Sequence, residues 1–138
     1  MNTGIEKSHK SPINSFRDLN VFQNSFNAAL AIHEISKRFP SEEKYSLTDQ
    51  IRRASRSVPA NIAEAWRKRR YAGAFISKLS DAEGEAAETQ VWIDMAYNLT
   101  FISKEQWDDF NNRYETILGQ LVKMIREPRK WCLPDNKQ

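Results

Sequence analysis

Apolar residues at Leu47, Ile51, Ala54, Val58, Ile62 and Ala65 recur at steps of three and four, and the phase runs unchanged across Pro59. A strand would need alternation with a period of two, so this spacing predicts a helix with one buried face. Pro59 removes one backbone donor and crowds the carbonyl four residues back, which predicts a bend, not a break. Ser46 or Thr48 can open this helix, and the Tyr71-Ala72-Gly73 region ends it.

Three further stretches carry the same kind of periodicity. The first runs from Asp18, read as its N-cap, to Arg38, and stops at Phe39-Pro40 because the residue before proline is pushed out of the helical region. Its face is Leu19, Phe22, Phe26, Leu30 and His33, with a second apolar line at Val21, Ala28, Ile32, Ile35 and Phe39. The third stretch, Ala74 to Phe101, places Phe75, Leu79, Ala82, Ala86, Gln90, Ile93 and Tyr97 on a coiled-coil-like seam roughly 40 Å long. Ala82, Gly84, Ala86 and Ala87 would let a neighbouring helix approach closely, and Trp92, Met95 and Leu99 form a second line. Ser103 and Gln106 make a capping box for the fourth helix, whose seam is Trp107, Phe110, Tyr114, Leu118, Leu121 and Ile125 up to Glu127-Pro128.

With only 4 Gly and 5 Pro in 138 residues, the chain has few turns to spend. The expectation is an all-α, up-and-down antiparallel four-helix bundle over residues 16–127, with mobile tails at 1–15 and 128–138. A bundle needs one seam per helix, so Val21, Ile32 and Ile35, together with Trp92, Met95 and Leu99, are surplus. Self-association would cover them, giving a homo-oligomer; the alternative is the broad apolar stripe of an ordinary globular helix.

The net charge of +3 is too mild to imply nucleic acid by itself. A lone Cys132 excludes an intrachain disulfide and any multi-cysteine metal site, and no apolar run approaches a membrane span or a secretion signal. A cytoplasmic protein without membrane contact is expected. His9 lies in the tail and His33 continues an apolar face, as a satisfied core or interface histidine would. Asp81, Glu83, Glu85, Glu88 and Asp94 lack the Glu-x-x-His pairs of carboxylate-bridged bundles on any helical stretch, so neither a metal, a cofactor nor an enzymatic activity is expected.

Arginines are the residues that carry chemistry. At 100° per residue Arg52, Arg56, Arg67 and Arg70 fall within about 60° of one another, a stripe roughly 27 Å long, and Lys68 and Arg69 extend it into the loop. Such a stripe can meet successive phosphates, and repetition in an oligomer would strengthen a weak contact. The competing reading is a solvated face that pairs with the acidic stretch of the third helix. Beside it run Gln50, Arg53, Ser57, Asn61 and Glu64, read as a structural polar network that takes in Gln90, with a binding site at Asn61 and Glu64 as the alternative. Trp66, Trp92 and Trp107 have the helical phase of packing anchors.

The segments FPSEEKYSLTDQIRRASRSVPANIAEAW and AAETQVWIDMA resemble the four-helix proteins called 23S rRNA-intervening-sequence proteins. The shared features, in order, are Phe39-Pro40, Gln50 to Ala54, Pro59 to Glu64, and Glu88 to Gln90, within a resemblance spanning about residues 16 to 126. Ala65 stands where that family commonly has glycine, which favours uninterrupted helix here. The resemblance implies a left-handed antiparallel bundle assembled as a ring, typically a homopentamer, without established enzymatic activity. It further implies contact with RNA or DNA, or a scaffold role beside a partner protein such as a reverse transcriptase.

Overall fold

A computed structural model describes residues 12–134. The expected tails over 1–11 and 135–138, and His9 with them, lie outside the described residues. Four helices make up the domain: α1 (Asn20–Ser36), α2 (Leu47–Arg67), α3 (Ala72–Asn98) and α4 (Lys104–Arg126). Three short 3-10 turns, Phe16–Asp18, Ser41–Glu43 and Pro128–Lys130, complete it, and the described residues contain no strand. α1 packs on α2 and α4, and α3 packs on the same two helices, so α1 and α3 face each other across the domain.

The helix starts use different chemistry from that expected at two of the four positions. Asp18 does not cap α1. Its carboxylate accepts from the backbone N–H groups of Asn14 and Ser15, 2.9 and 3.1 Å away, closing a capping box on the preceding 3-10 turn. Leu19, with no side-chain bond to offer, is the N-cap instead. At α2 the first N–H is met from outside the helix: Glu43 Oε1 accepts from Leu47 N at 3.2 Å and also from the Ser46 hydroxyl. Ser103 and Gln106 form the expected reciprocal box at α4.

α2 continues through Pro59, which is buried. Continuity is explained by the burial of Ile51, Ala54, Val58, Ile62 and Ala65 on both sides of it, which outweighs one missing backbone hydrogen bond. α3 ends in a Schellman arrangement: Phe101 N donates to Ala96 O and Thr100 N to Tyr97 O, with Thr100 left-handed at φ 65°.

In α3 the buried line is Phe75, Leu79, Ala82, Ala86, Thr89, Ile93 and Ala96, and in α4 it is Phe110, Tyr114, Ile117, Leu121 and Met124. Both keep a strict four-three alternation, whereas the expected seams step one residue further to Gln90, Tyr97, Leu118 and Ile125, all only half-buried. Thr89 can occupy a core position because its hydroxyl donates to Glu85 O at 2.9 Å. Gly84 mediates no close approach, since a Cβ there would meet nothing within 4 Å; Ala82 and Ala86 are the small residues at the contact.

α1 is turned relative to expectation. Val21, Ser25, Ala28, Ile32 and Ser36 face the core, while Phe26 and Leu30 are 47% and 54% exposed. Ser25 and Ser36 are buried at little cost because each hydroxyl donates to a carbonyl three residues back, at Phe22 and His33. The oligomer assignment of Val21 and Ile32 is therefore corrected: at 3% and 1% exposure they have no surface to give a neighbour. Ile35 and Trp92 are half-buried against the core, and Met95 and Leu99 are exposed together with Val91.

Candidate nucleic-acid interface

The α2 arginines divide into three kinds of environment. Arg52 is half-buried where α1 meets α2, and its Nε donates to Ser36 Oγ at 2.7 Å. Arg56, one turn on, is exposed with an Nη2 3.1 Å from His33 Nδ1. A guanidinium only donates, so in this contact His33 Nδ1 is the acceptor. Neither Ser36 nor His33 supplies a negative charge, so these contacts leave the arginine charges uncompensated. An open groove of about 540 Å³ runs over Asp49, Arg52, Arg53, Arg56, Ser57 and Ala60, with Asp49 already held by Arg53 at 3.4 Å.

Arg67, Lys68 and Arg70 are exposed at the far end of α2, separated from Arg56 along the stripe by the small residues Ala60 and Ala63. Arg69 behaves differently. Its guanidinium lies 3.5 Å over the Trp66 ring, its Nε donates to Trp66 O, and its carbonyl accepts from Leu133 N. Burial first, then the neighbouring Arg67, holds its pKa below the usual arginine value. Arg69 is thus a clamp between α2 and the chain after α4, and its assignment to a binding surface is corrected on that ground. That chain is also no free tail at its start: Lys130, Trp131 and Cys132 N–H groups donate to Glu127 and Pro128 carbonyls before Leu133 reaches Arg69.

Internal compensation by the acidic stretch of α3 does not occur among the described residues. No carboxylate pairs with Arg52, Arg56, Arg67 or Arg70, and three of the five α3 acids are engaged elsewhere. Asp81 reaches Lys78, Glu88 accepts from Trp92 Nε1, and Asp94 accepts from Trp107 Nε1 at 2.8 Å. Glu85 is pushed above the usual carboxylate range by burial and by Glu88 and Asp81, with Arg53 drawing it back.

The polar line beside the stripe does not form one network. Asn61 donates to Ser57 O within α2, Arg53 pairs with Asp49, and Gln90 donates to Glu115 across α3 and α4 at 2.8 Å. Only Glu64 links α2 to α3, through Lys78 at 2.8 Å, and that hydrogen bond raises the lysine above its ordinary value. Gln50 is half-buried without a side-chain hydrogen bond among the described residues. The binding-site alternative at Asn61 and Glu64 finds both groups already occupied.

Groups suited to bond-making chemistry are scarce. Burial raises the Cys132 thiol against the pull of Arg69, which keeps it from being a thiolate at neutral pH. Among the described residues no group of three His, Cys, Asp or Glu side chains converges as a metal site, and no helix is long and apolar enough to cross a membrane. A groove of about 590 Å³ lies between the start of α1 and the end of α4, lined by Leu19, Val21, Met124 and Trp131 and by Asp18 and Lys123. Asp18 there is committed to the capping box.

Comparison with known proteins bears on the whole domain. No curated protein matches the chain. A solved structure of a protein with unknown function from the S23 ribosomal protein family of Bacteroides thetaiotaomicron VPI-5482 is similar, with a TM-score of 0.70 and 32% identity over 77% of this chain and 95% of that one. A family model described as 23S rRNA-intervening sequence protein matches residues 17–123, all four helices but for the last residues of α4, so the chain belongs to the 23S rRNA-intervening sequence protein family.

Proposed function

We propose that this chain is a non-enzymatic, cytoplasmic, homo-oligomeric four-helix bundle that binds RNA through the phosphate backbone along α2. One observation carries the reading: Arg52, Arg56 and Arg67 fall on one side of α2, Arg70 follows in the turn after it, and none of the four has a carboxylate partner among the described residues, whereas Lys78, Lys104 and Arg113 do. A row of uncompensated guanidiniums suits a polyanion. Binding of this kind positions the backbone and reads little sequence.

The helices are proposed to run up and down in antiparallel order, consistent with connections of a few residues and with the pairwise contacts. The 3.5-residue repeat of buried positions in α3 and α4 favours a left-handed twist. For assembly, Phe26 and Leu30 on α1 and Val91, Met95 and Leu99 on α3 are exposed on the two diagonally placed helices. Two different apolar patches on opposite sides favour head-to-tail contact, which closes into a ring when the rotation allows. A pentamer is the number the family resemblance suggests. The same exposed ridges favour a second reading, a scaffold that docks a partner protein such as a reverse transcriptase.

Fluorescence anisotropy with a structured RNA at low salt, on the parent and on an Arg52→Gln, Arg56→Gln, Arg67→Gln, Arg70→Gln variant, separates the two readings. Binding by the parent and its loss in a variant that keeps its helical circular dichroism is the expected result. Equal binding by both would refute the α2 stripe, and no binding by the parent would favour the scaffold.

A further inference from the structure

Folding gathers cations that the α2 stripe does not contain. Leu133 N donates to Arg69 O at 3.0 Å, and the 3-10 turn Pro128–Lys130 packs on α3, which begins directly after Tyr71. Arg126, Arg129 and Lys130 are thereby carried to the end of the domain where Arg67, Lys68 and Arg70 emerge. All six side chains are exposed. Across residues 67–71 and 126–131 the only carboxylate is Glu127, and it is taken by Lys130 at 3.5 Å in an exposed pair that neutralises one cation weakly. Among the described residues the other five of these six cations have no carboxylate partner.

Tyr71 lies in the same turn. Its backbone is fixed, with N donating to Lys68 O and O accepting from Phe75 N, yet its ring is 66% exposed. No ring or cation of the described residues covers it, in contrast to Trp66, which is buried under Arg69. An exposed aromatic ring on a hydrogen-bonded turn that also carries unpaired cations is the combination that single-stranded nucleic acid recognition uses: phosphates meet the charges and an unpaired base stacks on the ring. A duplex meets only half of it, because its bases already stack on each other and present no open face along the helix.

We infer that this end of the domain binds a single-stranded RNA segment, one unpaired base stacking on Tyr71 while flanking phosphates are neutralised by Arg67, Arg70, Arg126 and Arg129. The inference rests on the RNA-binding reading above and adds the class of RNA. It also extends the contact to the turn after α4.

The test is anisotropy with a labelled oligoadenylate of about twelve nucleotides and with an RNA duplex of similar length. Tyr71→Ala is expected to weaken oligoadenylate binding about 5- to 150-fold, from the usual loss per stacked base, and to leave duplex binding and the salt slope unchanged. Tyr71→Trp is expected to restore it. A double variant, Arg126→Gln with Arg129→Gln, should flatten the oligoadenylate salt slope by about 1.4 units at 0.7 per phosphate. Oligoadenylate binding indifferent to Tyr71→Ala, or duplex preferred over single strand, would overturn this inference and leave the α2 arginines standing. Failure of the parent to bind either RNA at low salt would overturn both.

Discussion

Tyr114 carries a hydroxyl into the interior of the four helices, and replacing it with phenylalanine isolates what that oxygen costs. The residue is 0% exposed, and its Oη has no hydrogen-bond partner among the described residues. Burial pushes the phenol well above the usual tyrosine range, with Arg113 opposing, so the group stays neutral throughout the accessible pH range. An unsatisfied buried polar group costs about 1–3 kcal/mol. Removing the oxygen leaves a void of roughly 15 Å³, worth about 0.3 kcal/mol at the usual cavity coefficient. Tyr114→Phe is therefore expected to stabilise by about 1–2.5 kcal/mol. With an unfolding entropy of about 2.1 cal/mol/K per residue over 138 residues, the midpoint should rise by roughly 3–9 °C. Differential scanning fluorimetry and urea unfolding at matched protein concentration measure it, matched because an oligomer's stability depends on concentration. An unchanged or lowered midpoint would refute the reasoning, since it would mean that the hydroxyl is satisfied in the folded protein.

Gly84→Ala should stabilise by about 1 kcal/mol in chemical denaturation, because the site is mid-helix and open to an added Cβ. Thr100→Gly relieves a β-branched residue at φ 65° and should raise the thermal midpoint, by about 1 kcal/mol of strain less the entropy gained by the unfolded chain. Light scattering coupled to size exclusion should give a multiple of the chain mass for the parent, and monomer for Phe26→Glu with Leu30→Glu. A parent that elutes as a monomer at micromolar concentration would remove the assembly proposal.

Helix number and the main breaks were legible because they depend on local signals: Pro40, the Ser103 and Gln106 box, and an apolar phase that survives Pro59. Which face of α1 points inward was not. Weighting Phe22, Phe26 and Leu30 by hydrophobicity ranks the wrong line first, because Ser25 and Ser36 count as polar until their hydroxyls are seen to bond within the helix. Thr89 conceals the α3 seam for the same reason. Keeping the four-three alternation strict would have found it, as it would have found Ile117 and Met124 in α4. At the candidate interface, the shared phase of the arginines was readable and Trp66 three residues before Arg69 was a local signal that went unused, whereas the arrival of Arg126 and Arg129 near Arg69 depends on a contact remote in sequence. The exposure of Tyr71 belongs to that same long-range class.

The central claim is that α2 presents uncompensated charge to phosphates, and the salt dependence of RNA affinity measures it most directly. Each neutralised phosphate contributes about 0.7–0.9 to the slope of log affinity against log salt, so four arginines predict a slope near −3 to −4 for the parent. The Arg52→Gln, Arg56→Gln, Arg67→Gln, Arg70→Gln variant should flatten it by roughly one unit per lost contact. Arg52 also donates to Ser36, so the variant should lose about 1 kcal/mol of stability without unfolding, which circular dichroism checks in the same samples. A folded variant with the parent's slope and affinity, or a parent whose binding ignores salt, would contradict the account.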